Sequence, residues 1–202
     1  MKQEDRRIWL IKYLLAEAPE HRDYTVPADE AGQRTLLRAL MNIRMPAPVS
    51  KEFLEIQDEY LKERLAERGT VTLRDMEKTP KGFYLWQGDI TRIACDAIVN
   101  AANSGMTGCY RPNHNCIDNC IHTFAGVQLR LECDTLMRAQ GHEEPEGKAK
   151  ITAGFNLPCR FIIHTVGPMV QGVLTRRDEQ LLSSCYKSCL DLAEENGLES
   201  IA

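Results

Sequence analysis

The sequence predicts an α/β domain with a largely parallel sheet, preceded by an all-helical N-terminal extension. Three observations carry that assignment. Up to about residue 70, apolar residues recur at helical spacing and no run reads as a strand. From residue 71 onward, short apolar runs alternate with longer amphipathic stretches, the order of strand–helix units. The run at 95–100 is apolar in its middle, as a parallel strand buried on both faces is.

The extension, residues 1–70, holds three helices. Ile8, Ile11 and Leu15 share the face of the first. Pro27, Ala28 and Asp29 open the second, where Leu36, Leu37, Leu40 and Met41 repeat before Pro46 and Pro48 end it. Ser50 is the N-cap of the third; Phe53, Leu54, Tyr60, Leu61 and Leu65 follow, and Gly69 closes it. Each helix is amphipathic and needs a surface to lie against, so the extension is expected to pack on the next domain.

In the domain at 71–202, residues 82–86 read as a strand ended by Gly88 and Asp89, and 95–100 as a second. A loop rich in Gly, Asn and Pro follows at 103–115. Residues 117–125 form a helix with Asp118 in its first turn, where a carboxylate suits the dipole. Gly126 interrupts, and 127–139 continue as helix. Two further strands are expected at 149–152 and 161–165. A long helix at 177–195 carries Leu181, Cys185, Cys189, Leu190 and Leu192 mainly on one side, capped by Gly197. Residues 199–202 begin another strand, and the chain stops there.

Composition narrows the function. The chain has 202 residues, 43% hydrophobic and 27% charged, which suits one globular domain with an annex and excludes low-complexity disorder. A net charge of −4 gives no basic stripe, so no nucleic-acid partner is expected. No run approaches the ~18 apolar residues of a membrane span, so no membrane partner is expected either. The opening MKQEDRRIWLIKYLLAE carries charges of both signs and no small-residue cleavage site, unlike a secretory signal. Eight cysteines without an export signal indicate a reduced, cytoplasmic chain in which some cysteines are core residues and a few bind metal.

Two constellations carry chemistry. The first is CYRPNHNC at 109–116, in which Cys109, His114 and Cys116 fall within one short loop running into a helix. Thiolate and imidazole are preferred zinc ligands, and three of them with one open position are the pattern of a catalytic site. Cys120, one turn on, could be a fourth ligand, but a helix interior would aim it toward the core. The alternative is that these are unrelated loop and core cysteines. The second constellation is GDIT at 88–91 with DAIVNAANS at 96–104. An aspartate at a strand end can accept from an exocyclic amine, and Asn103 offers a donor and an acceptor to sugar hydroxyls. The alternative is that Asp89 caps a helix and Asn103 makes a turn. Cys95, Cys185 and Cys189 read as small core residues, Cys133 and Cys159 are left open, and His122 and His164 read as structural. Met106 and Tyr110 flank the loop and are candidates for lining a pocket.

Taken together, GDIT, DAIVNAANS, IDNCIH at 117–122 ending in Ala125 and Gly126, and IHTVGP at 163–168 resemble the ADP-ribose-binding macrodomain, a three-layer α/β/α fold. The family's glycine run is replaced here by GCYRPNHNC at 108–116. That replacement, with the helical extension, is similar to the zinc-containing class of microbial protein-ADP-ribose hydrolases. The macrodomain motifs cover about residues 80–202.

The resemblance implies a role for each motif residue. Asp89 would take the adenine amine with the backbone of Ile90 beside it. Asn103 would hold the distal ribose. Cys109, His114 and Cys116 would bind Zn2+. The N–H groups of Cys116, Ile117 and Asp118 would face the diphosphate, so no basic patch is required. The implied reaction is hydrolysis, glycosidic or ester, at ribose C1″ of an ADP-ribosylated protein, with Asp118 acting on the water and Asn103 fixing the sugar. A non-catalytic reader of ADP-ribose and an O-acetyl-ADP-ribose deacetylase are the alternatives. By family association the partners are a lipoyl carrier protein similar to the glycine-cleavage H protein, and a macrodomain-linked sirtuin. The family continues beyond the strand begun at 199–202 into a second phosphate-binding loop, a strand and a helix. The expectation is therefore a domain lacking its C-terminal elements.

Overall fold

A computed structural model describes residues 1–18 and 24–202. The extension forms α1 (Gln3–Glu17), α2 (Glu30–Ile43) and α3 (Lys51–Arg68). Asp29 caps α2 by accepting from Gly32 N–H, and Ser50 caps α3 by accepting from Phe53 N–H. Gly69, at φ +75°, ends α3 in a conformation that favours glycine. The helices close on a core that includes Leu10, Ile11, Leu14, Leu37, Leu40, Phe53, Tyr60 and Leu61. Burying each such side chain stabilises the fold by about 1.5–3 kcal/mol. This core also takes in Val127, from the following domain. Polar ties reinforce the contact: Val127 N–H donates to Gln57 Oε1 at 2.9 Å, and Asn156 Nδ2 to Asp58 Oδ1 at 2.7 Å. The extension packs on the next domain as its amphipathic faces require.

After the extension comes a short antiparallel ladder, β1 (Glu77–Lys78) and β2 (Tyr84–Leu85). The strand expected at 82–86 shrinks to two residues; among the described residues no layer covers it, and Phe83 and Leu85 are exposed. The main sheet has the order β3 (Ala97–Ala102), β5 (Phe161–Val166), β4 (Ala149–Ala153). β3 and β5 run parallel, whereas β4 is antiparallel to β5, so the sheet is mixed. α4 (Ile117–Ala125) and α5 (Val127–Gln140) cover one face; α6 (Arg176–Glu195) covers the other. Ile98, Ala102, Ile162 and Val166 meet Ile121, Ala125 and Leu129 on the first face. Ala97 and Ile163 meet Cys189 and Ala193 on the second. The period-2 alternation of the strands supplies both interfaces, giving three layers.

Three details depart from the sequence reading. The strand placed at 95–100 starts at Ala97, because Cys95 and Asp96 are engaged in ties to neighbouring loops. Asp96 Oδ1 accepts from Arg160 at 2.8 Å, and its Oδ2 accepts from Glu199 and Ser200 N–H at 2.9 and 3.0 Å. These donors, Arg160 first, hold its carboxyl down at about 2. The segment so anchored forms one parallel bridge, Ile201 to Ala97, alongside β3. In α6, Leu190 is exposed while Cys185, Cys189 and Ala193 face the sheet. Cys95 is half-buried rather than in the core, whereas Cys133 and Cys159 prove to be core residues. Among the described residues, no helix is long and apolar enough to cross a membrane.

Candidate functional site

The register of the sheet builds the base of the site. Asn100 on β3 pairs with His164 on β5, and alternation turns both toward α4. Asp118 and His122, four residues apart on α4, share one helix face and meet them. Asn100 Nδ2 donates to Asp118 Oδ1 at 2.8 Å and lies 3.1 Å from His164 Nδ1. An amide donor there leaves Nδ1 as acceptor, so Nε2 carries the proton and donates to Thr152 Oγ1 at 2.9 Å. The result is a buried polar chain: carboxylate, amide, imidazole, hydroxyl.

Asn103 completes the carboxylate's surroundings, donating through Nδ2 to Gly108 O at 3.1 Å and Asp118 Oδ2 at 3.3 Å. It also opens a turn in which Met106 N–H donates to its carbonyl at 3.0 Å, as the turn reading of Asn103 expects. Burial raises the Asp118 carboxyl above the usual carboxylate range; Asn100, Arg130 and Asn103 oppose that shift. His122 Nε2 lies 3.6 Å from Asp118 Oδ1, an ion pair only if the ring is protonated. Burial, with His164 and Arg130 nearby, pushes His122 well down, so the contact is neutral imidazole beside a carboxyl. Neither ring nitrogen of His122 has a hydrogen-bond partner among the described residues. Gly108, at φ +87°, covers that ring so closely that a Cβ would sit 2.8 Å from it, and only glycine fits.

The loop at 109–116 brings its three candidate ligands together. Cys109 Sγ lies 3.6 Å from His114 Nδ1, and the ligand atoms of Cys109, His114 and Cys116 all fall within 4.8 Å of one another. Ligands on a tetrahedral zinc with bonds of about 2.0–2.3 Å sit about 3.5–3.8 Å apart, so the donor set fits that ion. Burial raises the Cys116 thiol, and nearby Cys109 pushes the same way against the Asn119 N–H. Cys120 stands apart from this trio, its Sγ accepting from Arg38 Nη2 at 3.5 Å.

Cys116 is also the N-cap of α4, its Sγ accepting from Asn119 N–H at 3.4 Å. The helical ladder starts with Cys120 N–H on Cys116 O at 3.1 Å, so the N–H groups of Ile117 and Asp118 precede it. A helix start of this kind attracts anions. Asp89 and Ile90 lie elsewhere. Asp89 caps the 3-10 turn Ile90–Arg92, accepting from Thr91 N–H at 3.0 Å, and takes Arg68 Nη1 on Oδ2 at 2.9 Å. Arg68 in turn sits over the Phe124 ring at 3.6 Å. This group therefore meets α4 near its C-terminal end, while the ligand loop, Asn103 and Asp118 gather at its N-terminal end.

Several contributors escaped the sequence reading. Asn119 ties the loop by donating to Cys109 O at 3.2 Å and Arg111 O at 3.0 Å. Arg130, buried in α5, takes Thr107 O at 2.7 Å and stacks on Tyr110 at 4.2 Å. Asn100 and His164 were visible as motif members, but their polar pairing depends on register. Met106, offered above as a pocket residue, is 1% exposed and belongs to the core.

The buried histidines make a pH prediction. Desolvation lowers His164 from 6.5 to about 4, and His122 moves the same way. Between those values the unfolded chain binds protons that the folded chain refuses. The stabilisation is thus complete above pH 6.5 and lost as pH falls toward 4, on the order of 3 kcal/mol for His164 alone. Asp118 works in the opposite sense, since its carboxyl is raised and costs stability as it ionises. Urea midpoints are expected to fall between pH 7 and pH 5 at constant slope; an unchanged midpoint would contradict the account.

The family described as Macro domain matches residues 99–202. A Treponema medium protein named Protein-ADP-ribose hydrolase is 58% identical over 100% of this chain, which spans 79% of that protein. A Staphylococcus aureus (strain MSSA476) protein of the same name is 45% identical over 96% of this chain and 73% of its own length. Among solved structures, a mutant Oceanobacillus iheyensis macrodomain with ADPR aligns at TM-score 0.51 and 40% identity, covering 56% of this chain and 59% of that one. A Trypanosoma brucei macrodomain in complex with ADP aligns at TM-score 0.57 and 29% identity, covering 83% and 71%.

Proposed function

Since the chain belongs to the Macro domain family, we propose that it is a zinc-dependent hydrolase that removes mono-ADP-ribose from modified protein side chains. The observation that carries this reading is the convergence of Cys109, His114 and Cys116 beside the Asn103–Asp118 pair, at the start of α4. The activity named for the Treponema and Staphylococcus relatives supports the reaction class.

Held by those three residues, zinc would supply a Lewis-acidic position for a ribose or water oxygen and lower its pKa. The remaining roles belong to the chain. Asn103 has its amide N–H groups engaged by Gly108 and Asp118, so it presents Oδ1 as an acceptor for a sugar hydroxyl. Asp118, fixed by two amides, takes a proton from the attacking water as the new C1″–O bond forms. The bond from C1″ to the side chain breaks, and the leaving group recovers a proton. The N–H groups of Cys116, Ile117 and Asp118 face the diphosphate. Asp89 accepts from the adenine amine with a lone pair not used by Thr91 or Arg68, and the backbone of Ile90 lies beside the ring. The protein partner in this reading is a lipoyl carrier similar to the glycine-cleavage H protein, modified in the cytoplasm by a macrodomain-linked sirtuin.

The test is a de-modification assay on ADP-ribosylated protein, with and without a chelator, run beside O-acetyl-ADP-ribose. The expected result is release of ADP-ribose from protein that falls at least ~10-fold on chelation and returns with zinc. Binding without turnover would mark a reader, and turnover of the free ester alone a deacetylase; either overturns the proposal.

A further inference from the structure

The loop at 109–116 is not held by the sheet. Several of its backbone groups, Cys109 O, Arg111 O, Asn113 N–H and His114 O, are satisfied by side chains, and two of these side chains come from α2 in the helical extension. Arg38 Nη2 donates to His114 O at 2.7 Å and to Asn119 Oδ1 at 3.0 Å, and Nη1 reaches Asn115 Oδ1 at 3.4 Å. Asn42, 1% exposed, accepts from Asn113 N–H at 2.9 Å and donates to Thr123 Oγ1 at 2.9 Å. Asn113 stands at φ +54°, a left-handed conformation that this bond from α2 helps to hold. The end of α2 is itself pinned to α5, where Arg130 donates to Asn42 O at 2.9 Å. Arg130 also holds the strand-side start of the loop through Thr107.

From this geometry we infer that Arg38 is a positioning residue for the metal ligand His114, and that the helical extension acts as the template on which the ligand loop is set. The inference rests on the zinc reading above. Arg38 has neutral acceptors only and no carboxylate partner among the described residues, so its guanidinium is committed to the loop and α4. Its two terminal nitrogens reach different acceptors, Nη2 the His114 carbonyl and Asn119 and Nη1 Asn115, which the single nitrogen of an ammonium cannot reproduce. Fixing the His114 carbonyl removes backbone freedom that metal binding would otherwise have to freeze. Loss of such an outer contact typically costs about 10–100-fold in metal affinity.

The test compares Arg38→Ala and Arg38→Lys with Arg34→Ala, a control on the same helix whose charge pairs with Glu30 and Glu67. Three measurements are made on the full chain. They are zinc loss to a chromophoric chelator, the visible spectrum of the cobalt-substituted protein, and mapped thiol labelling of Cys109 and Cys116 in metal-free protein. Arg38→Ala is expected to lose zinc about 10–100-fold faster, shift the cobalt spectrum and label faster. Arg38→Lys is expected to rescue only in part, and Arg34→Ala to match the wild type. Wild-type behaviour of Arg38→Ala overturns the inference. If the wild type binds neither metal, the zinc reading is what fails. Labelling then decides the template alone: faster in Arg38→Ala supports it, and equal rates overturn it.

Discussion

Asp118→Asn is expected to lower kcat by about 10²–10⁴-fold while KM changes little. The substitution keeps the volume of a residue that is 5% exposed, so packing on β3 survives. What changes is chemistry. The carboxylate accepts from Asn100 through one oxygen and from Asn103 through the other. An amide keeps one acceptor and sets a second NH2 against a donor, so one neighbour loses its bond and no group remains to take the proton from water. The wild-type kcat profile should rise with pH through an acid limb displaced above the usual carboxylate range, because burial raises this carboxyl. That limb should vanish in the variant. A variant that turns over within threefold of wild type would remove Asp118 from the mechanism.

Cys116→Ser tests the metal loop with the least structural disturbance. Serine is a good N-cap and can replace the sulfur that accepts the Asn119 N–H, whereas alanine would forfeit about 0.5–2 kcal/mol of helix capping. Serine does not replace a thiolate toward zinc. Metal content by elemental analysis and turnover on ADP-ribosylated protein are expected to fall together to background. The melting temperature of the metal-free variant should stay at or slightly above that of metal-free wild type. Full activity in a verified zinc-free variant would sink the zinc role and leave the rest of the site standing.

Much of this architecture was legible in the sequence, and the reason is periodicity. Leu37, Leu40 and Met41, or Ile121 and Ala125, repeat at the spacing that packing demands, so helices and their buried faces could be read directly. The convergence of Cys109, His114 and Cys116 was legible because they lie within eight residues of chain. The two-residue ladder of β1 and β2 was overread, since Phe83, Tyr84 and Leu85 supply apolar composition without a partner layer. The Asn100–His164–Asp118 cluster needed the strand register, which sequence alone does not fix. Arg38, Asn42 and Arg130 left no trace because side chains that bond carbonyls obey no repeat. The motif at 88–91 announced Asp89 but not Arg68, its partner across 21 residues.

The Arg38 and Asn42 contacts also bear on the order of assembly. The residues of α2 precede the groups they bind by 71 to 82 positions. During synthesis the residues of α1, α2 and α3 are out before the loop has been made, and their mutual contacts are available first, with Val127 completing the core later. The loop at 109–116 is then made after the α2 groups that bind it. A chain whose first helices fold late should therefore reach the same end state more slowly, with its thiols open to oxidation in the meantime.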